Sequence, residues 1–342
     1  MVRSFFTREI DADARAAEAG GFDAEVWGQL EEMGLALLTT PESRGGSDAT
    51  WAEAATLLHA VGRYGIAVPY AEHDLLASWL AERAGLPAIE GVTSLVLATA
   101  PVAAGDVVAV PGGAAVERVL VVSNPTGDAA GAWAVQDLAA DGFAAAGDGA
   151  GSSPDAPGSS LDVRVTADTA STPLDDALGR ELMVRGALAR SLQIVGALER
   201  CVDEAVEHAT VRIQFGRPLS RFQAVQALLA EAAAETAVAA AATEAAVNAL
   251  LAAGEVTGEV ERAVAVAKSV SAHAVDPVTR NAHQTLGAMG TTLEHRLHRF
   301  TLPPLRWRFD FGSARHWDRR LALAAVEAAA GEGGLWASLA RV

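Results

Sequence analysis

The stretch Arg212-Ile213-Gln214-Phe215-Gly216-Arg217-Pro218-Leu219-Ser220-Arg221-Phe222-Gln223 most constrains this chain, because it separates two long alanine-rich runs that both read as helix. The run before it, from about Glu181 to Thr210, repeats apolar residues at spacings of three and four, as an amphipathic helix requires. The run after it, from Ser220 to about Ala253, does the same with more alanine. Phe-Gly-Arg-Pro interrupts helical continuity: Gly216 permits backbone angles that other residues avoid, and Pro218 suits the first turn of the next helix. The expected product is an interhelical turn with Arg212, Gln214 and Phe215 at its exposed corner. Such a corner is either a polar joint or a binding surface.

Composition narrows the choice. With 342 residues the chain has room for two or three domains, and 51% hydrophobic residues supply a substantial core. A formal charge of -17 argues against a nucleic-acid partner, which calls for a basic face. The single cysteine, Cys201, cannot form an internal disulfide; core packing and a reducing cytoplasm are expected. The start, Met1-Val2-Arg3-Ser4-Phe5-Phe6, lacks the apolar run and cleavage site of a secretory signal. Glutamates interrupt the alanine-rich run from 228 to 247, so no membrane span is expected. The eight histidines are scattered without metal-ligand spacing.

Residues 7 to about 86 read as helical, with a short amphipathic run at Gln29–Leu38, a Pro/Gly loop at 39–46, a helix from Thr50 to Arg63 and another near Glu72–Ala84. From Gly91 the texture changes. Ser94–Ala98, Val107–Val110, Val119–Val122, Trp133–Val135 and Leu161–Val165 are short runs rich in β-branched and aliphatic residues, bounded by turn formers, hence strands. Gly147–Pro154 reads as a flexible loop, and the β region ends near Pro173. The division expected is 1–90, 91–175 and 176–342. A last helix, about Arg315–Ala330, sets Arg319 and Arg320 on its polar side, where solvation is expected. Lys268, the only lysine, falls inside a helix and reads equally as a solvated or a functional residue.

The pattern Arg212-x-Gln214-Phe215-Gly216-x-Pro218-Leu219-x-x-Phe222-Gln223 resembles the acyl-CoA dehydrogenase family at the same helix–turn–helix. Pro41-Glu42-x-x-Gly45-Gly46 and Gly62-Arg63...Pro69-x-x-Glu72 resemble its amino-terminal domain. The resemblance implies an amino-terminal helical domain, a middle β-barrel and a carboxy-terminal four-helix bundle: mainly α with a small β domain. It implies that Arg212, Gln214 and Phe215 grip the pyrophosphate of an FAD held by the adjacent subunit, which suits a guanidinium fork and a helix start. The segment from Asn281 to His295 resembles the family's Gln-x-x-Gly-Gly-x-Gly-x-Thr-x-Glu-His run. There Gln284, Gly287 and Ala288 would pack against the adenosine diphosphate half of that flavin; Ala288 stands where a glycine is usual. Ser313 is counted with the same contacts.

Two departures shape the functional expectation. The family's Thr-Glu-Pro-x-x-Gly-Ser-Asp segment, which holds the flavin ring system, is not recognisable; the nearest fragment, Ser123-Asn124-Pro125-Thr126-Gly127-Asp128, has the wrong order. The base that removes a proton beside the thioester carbonyl is also missing. Where the family has a glutamate before Gly-Thr or Gly-Ser, this chain has Phe311, and Asp310 is one residue early with a shorter reach. At the family's other position, on the helix before the turn, the count lands near Gly186, with Glu181 five residues earlier on a different side. The resemblance therefore points to α,β-dehydrogenation of an acyl-CoA by a heteromeric enzyme. In it this chain is the non-catalytic subunit, as in two-gene, α2β2 actinobacterial enzymes of steroid breakdown. Its implied partners are the acyl-CoA substrate, a homologous subunit and an electron-transfer flavoprotein. The alternatives are a homotetramer using Asp310 as base, a cofactor-free structural or regulatory relative, and a flavin hydroxylase or nitroalkane-oxidase-like relative.

Overall fold

The computed structural model describes residues 22–124, 132–145, 160–292 and 294–330. The Gly147–Pro154 loop, the chain start and Pro125–Asp128 lie outside the described residues. The described residues fall into two compact units, one of 22–54 with 65–186 and one of 55–64 with 187–330.

The first unit begins with α1, Ala24–Glu32, whose Asp23 carboxylate accepts from the Val26 amide and caps it. The apolar run expected at Gln29–Leu38 thus begins and ends earlier as helix, because Gly34 takes a positive φ and leaves Leu35–Leu38 in turns. The Pro-Glu-x-x-Gly-Gly turn closes tightly: Gly45 has φ 87°, and a Cβ on Gly46 would stand 2.0 Å from the Thr40 carbonyl oxygen. After Gly65 a π-helical segment, Ala71–Ser78, runs into α3, Trp79–Arg83, and every residue of the π segment is buried. Burial of Asp74 is supported by five donor groups: the amides and hydroxyls of Thr39 and Thr40 and the Tyr70 hydroxyl. The His73 ring, pushed down to about 4 by burial, accepts from the Thr93 amide.

All five expected strands form, as β1 (Thr93–Ala98), β2 (Val107–Pro111), β3 (Arg118–Ser123), β4 (Trp133–Ala139) and β6 (Ser160–Val165). Two more appear, β5 (Phe143–Ala145) and β7 (Ser171–Leu174). They make two sheets, β1-β3-β4-β7 and β2-β6-β5, with β1 and β3 parallel in register Leu95 to Leu120 and the remaining pairs antiparallel. Val119 to Val122 are fully buried, as an unbroken apolar strand requires.

The second unit is helical. It takes the last turns of α2 (Trp51–Tyr64), most of α4 (Asp176–Val211), then α5 (Gln223–Ala253), α6 (Gly258–Leu286), α7 (His298–Trp307) and α8 (Ala314–Ala330). Two glycines set the crossing of α2 and α4: a Cβ on Gly62 would lie 2.0 Å from the Gln193 carbonyl, and one on Gly196 2.1 Å from that of His59. Arg63 beside them pairs with Glu199 at 3.1 Å and Asp203 at 2.6 Å. The core runs from Ile194, Leu198 and Cys201 through Ala232 and Ala239 to Val275, Val278, Leu286, Phe300 and Trp307. Burial raises the Cys201 thiol far above its ordinary range, so the cysteine packs as an apolar residue.

By length and composition α5 alone among the described helices reaches the range of a membrane span. Its buried residues Ala232, Thr236, Ala239, Thr243, Ala246, Val247 and Leu250 recur at the spacing of one bundle-facing stripe. The remainder of the helix carries Glu231, Glu235 and Glu244, each costly inside a bilayer.

Candidate functional site

The stretch between α4 and α5 folds as a hairpin. β8 (Ile213–Gln214) pairs with β9 (Arg217–Pro218), and Phe215 and Gly216 between them have φ 53° and 80°. Two positive φ values in a two-residue loop match the twist of a tight hairpin. Pro218 belongs to β9 and not to the next helix, because a 3-10 turn, Leu219–Arg221, intervenes before α5. Arg212, Gln214 and Phe215 are all exposed, Phe215 at 91%. The Phe215 ring meets Phe222 edge-on at 6.2 Å, and the Arg217 guanidinium lies 4.2 Å over Phe222. The Arg212 side chain makes no hydrogen bond or ion pair with the described residues, while its amide closes the last turn of α4 on the His208 carbonyl at 2.9 Å.

A second segment reaches the same neighbourhood. α6 ends at Leu286, and Gly287 follows with φ 64° and ψ -144°. Gln284, Gly287 and Ala288 are exposed, whereas Gly290 packs so closely that a Cβ would lie 2.8 Å from that of Leu286. Four histidines link the two segments electrostatically. Burial and then the Arg212 charge lower His208, while burial and the charges of His208, His298 and His283 lower His295. In an acidic chain Arg212 thus stands beside a group of imidazoles, while Arg296 nearby in sequence is already paired with Glu204 at 2.9 Å.

The third candidate locus is the loop after α7. Phe311 is buried at 5% with φ 52°, and its carbonyl accepts from the Trp317 indole N–H at 3.1 Å. Asp310 Oδ2 accepts from Arg190 Nε at 2.8 Å, with the carboxylate 38% exposed. Arg190 also donates to Gln193 Oε1 at 2.7 Å and lies near the Trp307 and Phe311 rings. Ser313 caps α8: its carbonyl accepts from the His316 amide at 3.0 Å and its hydroxyl from the same amide at 3.4 Å. Gly186 is buried, and Glu181 stands 3.9 Å from Arg83 and 4.0 Å from Arg185.

Two sequence expectations need correction. Lys268 is no solvated helix residue: it is 0% exposed, and its amine donates to the Trp307 carbonyl at 2.6 Å. Burial pulls it down to about 7, against the opposing pull of Asp310. Arg320 is not merely solvated either, because it pairs with Glu261 and covers the Trp317 ring at 5.5 Å; Arg319 is exposed as expected. Sequence reasoning passed over Arg190, because its carboxylate partner Asp310 lies 120 residues away and leaves no local pattern. Among the described residues no group of three or more His, Cys, Asp or Glu could hold a metal ion.

Comparison with known proteins adds an independent line. The family profile described as acyl-CoA dehydrogenase, C-terminal domain, matches residues 179–305, and that of the N-terminal domain matches residues 1–89. Acyl-CoA dehydrogenase FadE27 of Mycobacterium tuberculosis is 28% identical over 334 residues, covering 88% of this chain and 87% of that protein. Acyl-CoA dehydrogenase IpdE2 of Mycolicibacterium smegmatis is 30% identical over 278 residues, covering 80% and 79%. Among solved structures, the ChsE4-ChsE5 complex from Mycobacterium tuberculosis contains a chain of the same fold, with a TM-score of 0.77 at 23% identity over 95% of both chains.

Proposed function

This chain belongs to the acyl-CoA dehydrogenase family, and from that premise we propose that it serves the α,β-dehydrogenation of an acyl-CoA thioester as the non-catalytic subunit of a heteromeric, FAD-using enzyme. The observation that carries this reading is the Asp310–Phe311 turn. The position where the resemblance requires a glutamate holds a buried phenylalanine, and the acid beside it already accepts from Arg190 at 2.8 Å. A base must reach the proton it removes, and a carboxylate tied to a guanidinium at the wrong register is poorly placed for that.

The residues present fit the outer half of a dinucleotide better than its ring. Arg212 offers a guanidinium fork that the described residues leave unbonded on an exposed turn, and Phe215 and Gly216 beside it are exposed. Gly287, without a side chain, allows close approach beside Gln284. When bound, FAD supplies the hydride acceptor. In this reading Arg212, Gln214, Phe215, Gln284, Gly287 and Ala288 hold its diphosphate and adenosine from one side, and the homologous partner contributes the ring cradle and the base.

The rest of the reading follows as proposal. The chain works in the cytoplasm, in lipid or steroid catabolism, and an electron-transfer flavoprotein takes the electrons onward. Its three-part division is 1–90, 91–175 and 176–342, and the alanine-rich α5 lies at the centre of a tetramer, where small residues permit close helix approach. The test is flavin content, measured on the chain expressed alone and then with a homologous partner. Flavin appearing only in the complex, near one per pair, supports the reading. Near one FAD per chain in the protein alone would overturn it in favour of a homotetramer.

A further inference from the structure

We propose that Arg185, lying over the Trp51 and Trp79 rings, anchors a binding site for the carboxylate group of a small ligand. Arg185 stands on α4 within the sheet-containing unit, to which Trp51, Asp74, Leu75, Trp79, Arg83 and Glu181 also belong. Its Nε donates to the Leu75 carbonyl of the π-helical segment at 3.1 Å. Its guanidinium carbon lies 4.5 Å from the Trp79 ring centre and 5.2 Å from that of Trp51. One hydrogen bond and two aromatic faces fix the plane of the guanidinium while leaving its terminal edge available.

Among the described residues that edge has no acceptor within hydrogen-bond reach. The nearest carboxylate oxygen, Glu181 Oε1, is 4.0 Å from Nη1, beyond hydrogen-bond reach, and Glu181 also faces Arg83 at 3.9 Å. Asp74 acts on Arg185 electrostatically, yet its oxygens already accept from Thr39, Thr40 and Tyr70. Burial lowers the guanidinium to about 10, so it remains a cation at neutral pH. A cation confined to 11% exposure with its terminal donors unbonded to the described residues is costly as a purely structural part. An apolar side chain would fill the space over two tryptophans at less cost. The side chain is not sealed, and Trp79 itself is only half-buried.

The chemistry selects the ligand class. A carboxylate matches the fork with two parallel hydrogen bonds. A phosphate dianion fits less well, because it concentrates both negative charges at the fork, where Glu181 and Asp74 oppose the second, whereas a dicarboxylate carries its second charge at the far end of the molecule. The site needs neither flavin nor a partner subunit, so its failure would leave the shared-flavin reading untouched.

The seven tryptophans supply the readout. Succinate titrated into the full chain is expected to change the tryptophan emission saturably, and uncharged succinamide of the same shape to bind at least tenfold more weakly. Arg185→Gln is expected to lower succinate affinity at least tenfold, and Trp79→Phe to remove most of the emission change. Should Arg185→Gln fail to fold, Arg185→Lys keeps the charge without the fork and is expected to bind at least threefold more weakly. No saturable response in the unaltered chain, equal binding of succinamide, or tighter binding of inorganic phosphate than of succinate would each overturn the proposal.

Discussion

The same dipeptide occurs in the same backbone state at two places in the helical unit, and the two differ in almost everything else. Phe215-Gly216 has φ values of 53° and 80°, and Phe311-Gly312 has 52° and 97°. A left-handed phenylalanine costs roughly 1–2 kcal/mol in either setting. At 311 the surroundings supply the compensation: the ring is buried, its carbonyl takes the Trp317 N–H, and Gly312 makes room for that indole, which a Cβ would meet at 2.6 Å. At 215 the ring is exposed and, among the described aromatic rings, meets Phe222 alone. An unfavourable conformation kept without burial suggests selection for what the turn presents, whereas the buried copy is explained by packing.

Substitutions can break that contrast. Phe311→Ala should lower stability by about 3–5 kcal/mol, as emptying a buried aromatic site does, while Phe215→Ala should stay within about 0.5 kcal/mol; denaturant unfolding of both variants checks this. Next in size, Arg212→Ala in the partner-bound complex should weaken flavin retention about tenfold to a hundredfold, the value of a charge-assisted contact of about 1.5–3 kcal/mol. Thermal unfolding of the Arg212 variant chain alone should be unchanged.

A third test uses Lys268, which grips the Trp307 carbonyl three residues before Asp310. Its folded value of about 7 lies below the ordinary 10.5, so between those limits the unfolded chain holds a proton that the folded chain has lost. Stability therefore carries the full cost of a buried ammonium below about pH 7 and recovers as pH rises toward 10.5, by at most ~1.4 kcal/mol per pH unit. Unfolding curves of Lys268→Met should lack this component of the slope; equal slopes would show that the amine does not titrate there. The smallest effect is expected from Phe215→Asn, a gain of a few tenths of a kcal/mol, because asparagine tolerates the left-handed region. A gain accompanied by weaker flavin retention would show that the ring is kept for its contact.

How much of this was legible beforehand follows physical locality. Local periodicity placed α2, α4, α5, α8 and five strands, and the hairpin corner at Arg212–Phe215 was visible because glycine and proline announce a turn within a few residues. α7 is not legible in this way, since Pro303 and Pro304 sit in its second turn and mask its helical pattern. β5 and β7 are three and four residues long, too short to show alternation. That phenylalanine stands at 311, where the resemblance calls for a glutamate, could be read from the sequence, but not that Asp310 accepts from Arg190, which approaches from another helix. The same holds for Lys268 and for the stack around Arg185: each joins positions scores of residues apart, and no short motif records such a meeting.

The solitary lysine has one more consequence. Because the chain's only ε-amine is fully enclosed, reagents that seek amines find no lysine on the folded surface. Acylating labels and amine cross-linkers can reach Lys268 only when the helical unit opens. The rate at which it is marked then measures that opening, which makes the residue a built-in clock for local unfolding.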